Sequence, residues 1–350
     1  MQDNVVTAIG TPNMALIKYW GKRDEKLILP MNSSISITFD ETLATRTSVV
    51  FSGKFKQDRL YIDGKLVDLT KDDTAKERFS MVDKIRSRAG SKLKVLMVSR
   101  SNFPASSGLA SSASGLATLA FAASKAIGLD LSAKELSIFA RQGSGSACRG
   151  LYGGFVKWEK GVKSDGSDSY AKQLADEKHW PDLIDMVAIV SREKKKTSSR
   201  SGMRQTVASS ILYKARMDYV ENAVKRMEDA IAKKDFDALA EITMRDSNDM
   251  HSVMLDTFPP IMYLNDVSRE IIAATHDMNE AEGRMVGAYT FDAGPNGNII
   301  TREKDVKRVT KMLKDIDGVE EILKVKVGKG PRFLGDKDAL IDSSLEPILQ

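Results

Sequence analysis

Residues 103–126, FPASSGLASSASGLATLAFAASKA, join a Gly/Ser run to an Ala-rich segment without interruption. Alanine is the strongest helix former, whereas Ser and Gly favour turns and helix starts. The run is therefore expected to be a loop that opens directly into a helix. Gly108 lets the backbone turn tightly and approach a ligand. Ser111, Ser112 and Ser114 add hydroxyls. The helix that follows presents unpaired N–H groups and the positive end of its dipole. Together these features could cradle a triphosphate without Walker A spacing. Standing alone, such a loop is more often a simple connection.

The rest of the first half reads as strands followed by helices. Ile35, Ile37 and Phe39 alternate with Ser36 and Thr38, which predicts a half-buried strand. Residues 44–51 and 93–99 are further strands, and Asp63-Gly64 between apolar runs predicts a hairpin. Ser132 and Glu135 form a capping-box pattern ahead of a helix through Arg141. The second half is more helical. Val220, Val224, Met227 and Ile231 recur at helical spacing, and further helices are expected near 236–250 and 261–278, separated by Pro259-Pro260. Strands at 285–291 and 298–301 flank a turn, followed by a helix at 303–316 and a strand at 320–327. That β-β-α-β ending predicts an antiparallel sheet backed by helices, so the class is α+β. The polar stretch 191–205 is the expected boundary between a lobe at 1–190 and a lobe at 191–350.

Length and composition restrict function. The chain has 350 residues, 42% of them apolar and 29% charged, enough for a substantial core. Lys+Arg number 53 against Asp+Glu 48, a net charge of +5, which suits small anionic ligands and not a nucleic-acid tail. Cys148 is the single cysteine, so no internal disulfide forms; this is compatible with a reducing cytoplasm. The N-terminal segment has no signal-peptide pattern, and no segment is long and apolar enough to suggest a membrane span. His179, His251 and His276 lack metal-ligand spacing. The 16 methionines are expected as core filler. The lysines at 194–196 read equally well as a solvated loop or as a lid over phosphates.

The loop at 104–115 gains meaning beside four other segments: NMALIKYWGKR at 13–23, RQGSGSACRG at 141–150, SSRSGM at 198–203 and AYTFDAGPN at 288–296. In this order they resemble the mevalonate diphosphate decarboxylases of the GHMP kinase superfamily. DSNDMHSVMLDTFPPIMYLND at 246–266 and VGKGPR at 327–332 extend the resemblance over nearly the whole chain. It implies a two-lobed GHMP kinase-like fold with an N-terminal mixed α/β lobe and a C-terminal ferredoxin-like sheet. It also implies a site in the cleft and a homodimer.

The resemblance places Asp292, Lys18 and Arg149 at the catalytic positions. Asn13, Tyr19, Lys22, Ser144, Ser146, Ser199, Arg200 and Met203 fall where the family binds substrate. Ser101, Asn102, Gly108, Ser111 and Ser112 fall on the nucleotide, with the Ser112 hydroxyl helping ATP phosphates to hold Mg²⁺. The implied reaction is ATP-dependent: C3 phosphorylation of mevalonate 5-diphosphate, loss of that phosphate, and release of CO₂ to leave isopentenyl diphosphate. A carboxylate near the C3 hydroxyl, a neighbouring ammonium and a guanidinium for the substrate carboxylate fit that chemistry.

Two segments depart from the family pattern. The family often has Pro-Thr-Ala-Ala-Gly where this chain has Pro104-Ala105-Ser106-Ser107-Gly108, and Ser where it has Gly150. Mevalonate 5-phosphate and ATP-independent mevalonate 3,5-bisphosphate decarboxylation stay open as alternatives, as do a mevalonate 3-kinase and a non-catalytic binding protein. Retention of Asp292, Lys18 and Arg149 together argues against the last two.

Overall fold

The computed structural model describes residues 3–68, 73–103, 111–193 and 196–349, with the side chains of 73–75, 77 and 111–113 left aside. The chain opens with β1 (Val6–Gly10), β2 (Asn13–Ile17), β3 (Lys22–Asp24), β4 (Leu29–Pro30), β5 (Ser34–Thr38) and β6 (Thr45–Ser52). Next come β7 (Arg59–Ile62), β8 (Lys65–Leu66), α1 (Asp73–Arg88), β9 (Lys94–Ser101), α2 (Ser111–Ala126) and α3 (Ala133–Arg141). A 3-10 turn at Gly145–Leu151 leads to β10 (Phe155–Trp158) and β11 (Ala171–Ala175). The second half contains β12 (Leu183–Ile189), α4 (Ser199–Ser209), α5 (Tyr213–Lys233), α6 (Phe236–Leu255) and α7 (Asp266–Ala281). It ends with β13 (Gly287–Phe291), β14 (Gly297–Arg302), α8 (Val306–Lys314), β15 (Glu321–Lys326) and β16 (Arg332–Phe333).

These elements build three main sheets, ordered β16-β1-β6-β9-β7-β8, β11-β10-β5-β2 and β13-β14-β12-β15. The third is antiparallel throughout. With helices between β12 and β13 and between β14 and β15, its order is that of a ferredoxin-like β-α-β-β-α-β unit. β12 joins this sheet although it precedes residue 191. Conversely, β16 returns to pair with β1, and Leu340, Ile341 and Leu345 pack on Val50, Leu96 and Val98 of the first sheet. Sheet membership therefore crosses the polar stretch in both directions. The hydrophobic pattern draws β12 inward whatever the polarity of the loop after it.

One core cluster gathers Met14, Ile17 and Ile37 from the second sheet, Ile184 and Ile300 from the third, and Val224, Ile242 and Ile271 from the helices. A second lies between the first sheet and α1–α3. The hairpin turns at Asp63 and Gly64, both at positive φ, as the sequence predicts. The Ser132–Glu135 capping box is present at α3.

β5 differs from expectation. Ser34, Ser36 and Thr38 are as buried as Ile35 and Ile37, all within 1% of full burial. The polar face of this strand turns toward the interior, where Ser34 meets Arg149.

The segment after β15 explains VGKGPR. Gly328 donates its N–H to the Thr38 carbonyl at 2.8 Å and accepts from Gly154 N–H at 2.8 Å. A Cβ at Gly328 would stand 2.2 Å from the Phe39 carbonyl oxygen and 2.5 Å from Asp40 backbone. No side chain can relieve a clash with backbone. Gly328→Ala is expected to lower unfolding free energy by more than about 2 kcal/mol. Denaturant unfolding checks this; an unchanged midpoint would mean that the two backbones separate freely.

Candidate functional site

The strands bring a lysine and a carboxylate together from opposite ends of the chain. Lys18 follows β2, and Asp292 follows β13. The Lys18 ammonium donates to Asp292 Oδ1 at 2.7 Å, with side-chain exposures of 2% and 33%. The cation is thus buried, and the carboxylate it pairs with is partly exposed. Lys18 Nζ also lies 3.6 Å from Met14 Sδ.

Arg149, in the 3-10 turn, is buried beside this pair. Its Nε donates to Asn13 Oδ1 at 3.2 Å, and one terminal nitrogen donates to Ser34 Oγ at 2.7 Å. Burial pulls its pKa below the ordinary guanidinium value, opposed by Cys148, Asp292 and Tyr19. The Asn13 amide nitrogen is buried without a hydrogen-bond partner among the described residues. Tyr19 packs edge-on against Trp158 at 4.7 Å, and its buried hydroxyl likewise has no such partner. Burial pushes that phenol well above its usual range. Gly145 is required here, since a Cβ would come within 2.7 Å of the Tyr19 ring. This places Ser144 and Ser146, both partly buried, on either side of a glycine packed over Tyr19.

A second group of cations lies toward α4. Arg200 donates to the Gly143 carbonyl at 2.8 Å, tying α4 to the serine-rich turn. Lys22 donates to Glu25 at 2.6 Å. Ser199 begins α4 after its N-cap Ser198, and Met203 joins the cluster with Trp20, Tyr213 and Tyr263.

The nucleotide candidates lie elsewhere. Gly108 is outside the described residues. Ser111 and Ser112 form the start of α2, a 16-residue helix without an acidic residue in its first turn. Ser101 donates its N–H to Asp63 and has its hydroxyl 3.0 Å from that of Thr45. Asn102 accepts from Ala44 N–H at 2.8 Å and donates toward the Glu41 and Thr42 carbonyls. Both residues line a 530 Å³ surface cavity with Asp63, Gly64, Arg100, Phe103 and Leu349. Among the described residues no cluster of His, Cys, Asp and Glu could hold a metal.

Asp185 and Asn298, near the ion pair, escape sequence motifs. Asp185, in the middle of β12, is buried, and Asn298 lies within 3.1–3.2 Å of both its oxygens when its amide nitrogen faces them. Burial pushes Asp185 up to about 8, with Lys18 lowering it and Asp292 raising it. A lone acid in the apolar run LIDMVAI was the available signal. His251 is drawn down to about 4, first by burial and then by Lys18. Burial thus favours the neutral form of both groups, opposed at Asp185 by Lys18 and by the Asn298 amide.

A family model described as Diphosphomevalonate decarboxylase-like N-terminal domain matches residues 10–171. Another, Mevalonate 5-diphosphate decarboxylase C-terminal domain, matches residues 185–329. Diphosphomevalonate decarboxylase of Rattus norvegicus is 46% identical over 87% of this chain and 78% of its own length. The structure of mevalonate diphosphate decarboxylase from Trypanosoma brucei is 35% identical, with a TM-score of 0.88 over 97% of this chain and 100% of that one. A structure described as MDDEF in complex with MVAPP, AMPPCP and magnesium is also 35% identical, with a TM-score of 0.86 over 94% and 98%.

Asp185 generates a pH prediction. Between pH 4 and 8 the folded protein holds a proton there that the unfolded chain has released. Stability must then fall as pH rises through that window. Asp185→Asn removes the effect, so the variant's Tm should gain on the parent's from pH 5 to 8. A constant Tm difference would place an ionised Asp185 in the fold.

Proposed function

The chain belongs to the diphosphomevalonate decarboxylase family, and from that premise we propose how its residues convert mevalonate 5-diphosphate and ATP to isopentenyl diphosphate, ADP, phosphate and CO₂. The observation that carries the proposal is the buried Lys18 ammonium 2.7 Å from the carboxylate of Asp292, whose side chain is 33% exposed.

Asp292 orients the C3 hydroxyl and takes its proton as the oxygen attacks the γ-phosphorus. The new O–P bond forms as the bond to ADP breaks. Lys18 supplies the counter-charge that keeps Asp292 useful as a base. Mg²⁺ bound to ATP neutralises phosphate charge and orients the γ-phosphoryl group. The C3–O bond then breaks, its electron pair leaving with phosphate. Carbocation character grows at C3. The bond from C2 to the carboxyl carbon breaks, and its pair becomes the new double bond as CO₂ departs. Arg149, held by Asn13 and Ser34, grips the substrate carboxylate and presents it for this step.

The diphosphate end lies toward α4. Lys22 and Arg200 meet its negative charge, with Ser144, Ser146 and Ser199 adding hydroxyl donors. Tyr19 and Met203 wall the site, and the buried hydroxyl of Tyr19 supports a polar contact with substrate. The nucleotide lies over the start of α2 with Gly108, Ser111 and Ser112 at its phosphates and Ser101 and Asn102 toward its nucleoside. A cytoplasmic homodimer completes this reading. The family resemblance supports the dimer, and the lone cysteine, buried, is compatible with a reducing compartment.

Asp292→Asn should reduce kcat by at least about two decades while both ligands still bind. Steady-state kinetics with a direct CO₂ assay reads this out, comparing mevalonate 5-diphosphate, mevalonate 5-phosphate and the 3,5-bisphosphate, each with and without ATP. Near-normal turnover in a folded Asp292→Asn protein would remove the base. CO₂ from the 3,5-bisphosphate alone, indifferent to ATP, would instead change the substrate. Arg200→Ala should raise substrate KM by about one to two decades with little change in kcat, because its contact is remote from C3. A collapsed kcat at normal KM would move Arg200 to the reacting centre.

A further inference from the structure

Lys18 and Asp292 are 274 positions apart. Their side chains meet correctly only if the two backbones are held to a fraction of an ångström. One turn of α6 touches both. Asp246 Oδ2 accepts the backbone N–H of Lys18 at 2.6 Å. The hydroxyl of the next residue, Ser247, accepts the N–H of Phe291 at 3.0 Å. Phe291 immediately precedes Asp292. Asp246 and Ser247 are buried to within 1% of completion, so water does not substitute for either contact.

The grip on Lys18 is closed on itself. One terminal nitrogen of Arg216 donates to Asp246 Oδ1 at 3.1 Å, and the other donates to the Lys18 carbonyl at 3.2 Å. Asn32 donates to the same carbonyl at 2.9 Å. Arg216 also pairs with Asp249. Burial disfavours its charge, but these two carboxylates more than compensate. On the other side, β13 has a strand neighbour, β14, on one flank only, and Asn248 donates to the Tyr289 hydroxyl at 2.9 Å. Four consecutive residues, Asp246 to Asp249, thus engage both carriers of the ion pair or the arginine that braces it.

We propose that Asp246 and Ser247 are positioning residues for the decarboxylation, adjacent side chains on α6 that fix the backbones of Lys18 and Asp292 relative to one another. The inference rests on the reading of Lys18 and Asp292 as the catalytic pair. Neither positioning residue touches substrate. Each acts through the backbone it holds.

Ser247→Ala is the decisive variant, because it deletes one acceptor and leaves the buried ion pair of Asp246 and Arg216 intact. A misplacement approaching 1 Å can cost about a hundredfold, and a smaller shift correspondingly less. Turnover is expected to fall about tenfold, with KM for ATP and for mevalonate 5-diphosphate within about twofold of the parent. In a Lys18→Met background, where the ion pair is already gone, the same substitution should cost no further rate. Asp246→Asn should show the same pattern if it folds; if it does not, the Ser247 cycle decides alone. An unchanged kcat in Ser247→Ala, or an equal loss in both backgrounds, overturns the positioning role. If Asp292→Asn is itself nearly silent, the catalytic reading fails first. If Asp292→Asn is impaired and Ser247→Ala is silent, only the positioning inference falls.

Discussion

A lysine ammonium almost wholly removed from water is untenable without an anion, and here the anion arrives from the far end of the chain. Taking a charge out of water costs several kcal/mol even after relaxation. Lys18 offsets that cost by pairing with Asp292. The requirement reaches deep into the architecture. β2 and β13 belong to different sheets, and α6 packs against both. The large core beneath them draws residues from both sheets and from four helices. The two halves of the chain are therefore bound together where Lys18 and Asp292 meet.

The electrostatics around that pair are sorted by depth. Arg149 is buried, and its hydrogen bonds to Asn13 and Ser34 go to neutral partners that leave its charge unneutralised by them. Asp185 and His251 stand close enough to feel Lys18 and Asp292, yet burial favours their neutral forms. Toward α4, Lys22 is paired with Glu25, and Arg200 rests on a backbone carbonyl. Both cations there are held by internal acceptors.

Glycine does structural work at the crossings. Gly145 makes room for Tyr19, and Gly328 lets the segment after β15 lie against the Thr38–Asp40 backbone. These contacts bring residues near 330 back to the first sheet, where β16 pairs with β1. A division of the chain by loop polarity alone misses this return. It also misses β12, whose hydrogen bonds belong with β14 and β15.

Much of this protein is written in local sequence. Periodicity located α5 and α6, Asp63-Gly64 located its hairpin, and Ser132 with Glu135 located the start of α3, because each depends on residues only a few positions apart. The motifs around Lys18, Arg149 and Asp292 likewise pointed to the family and its chemistry through their order along the chain. What the sequence could not express was distance between distant residues. That Ser34, Ser36 and Thr38 face the interior depends on which surface of β5 the site occupies, and alternation specifies two faces without saying what covers them. Asp246 and Ser247 sit in a recognisable segment, but their hold on Lys18 and Phe291 exists only once α6 lies across two sheets. Sequence determined many of the elements and the candidate reactive groups, since those follow from local propensity and side-chain chemistry. Tertiary structure decided the alignment of Lys18 with Asp292, since that depends on the packing of segments more than two hundred residues apart.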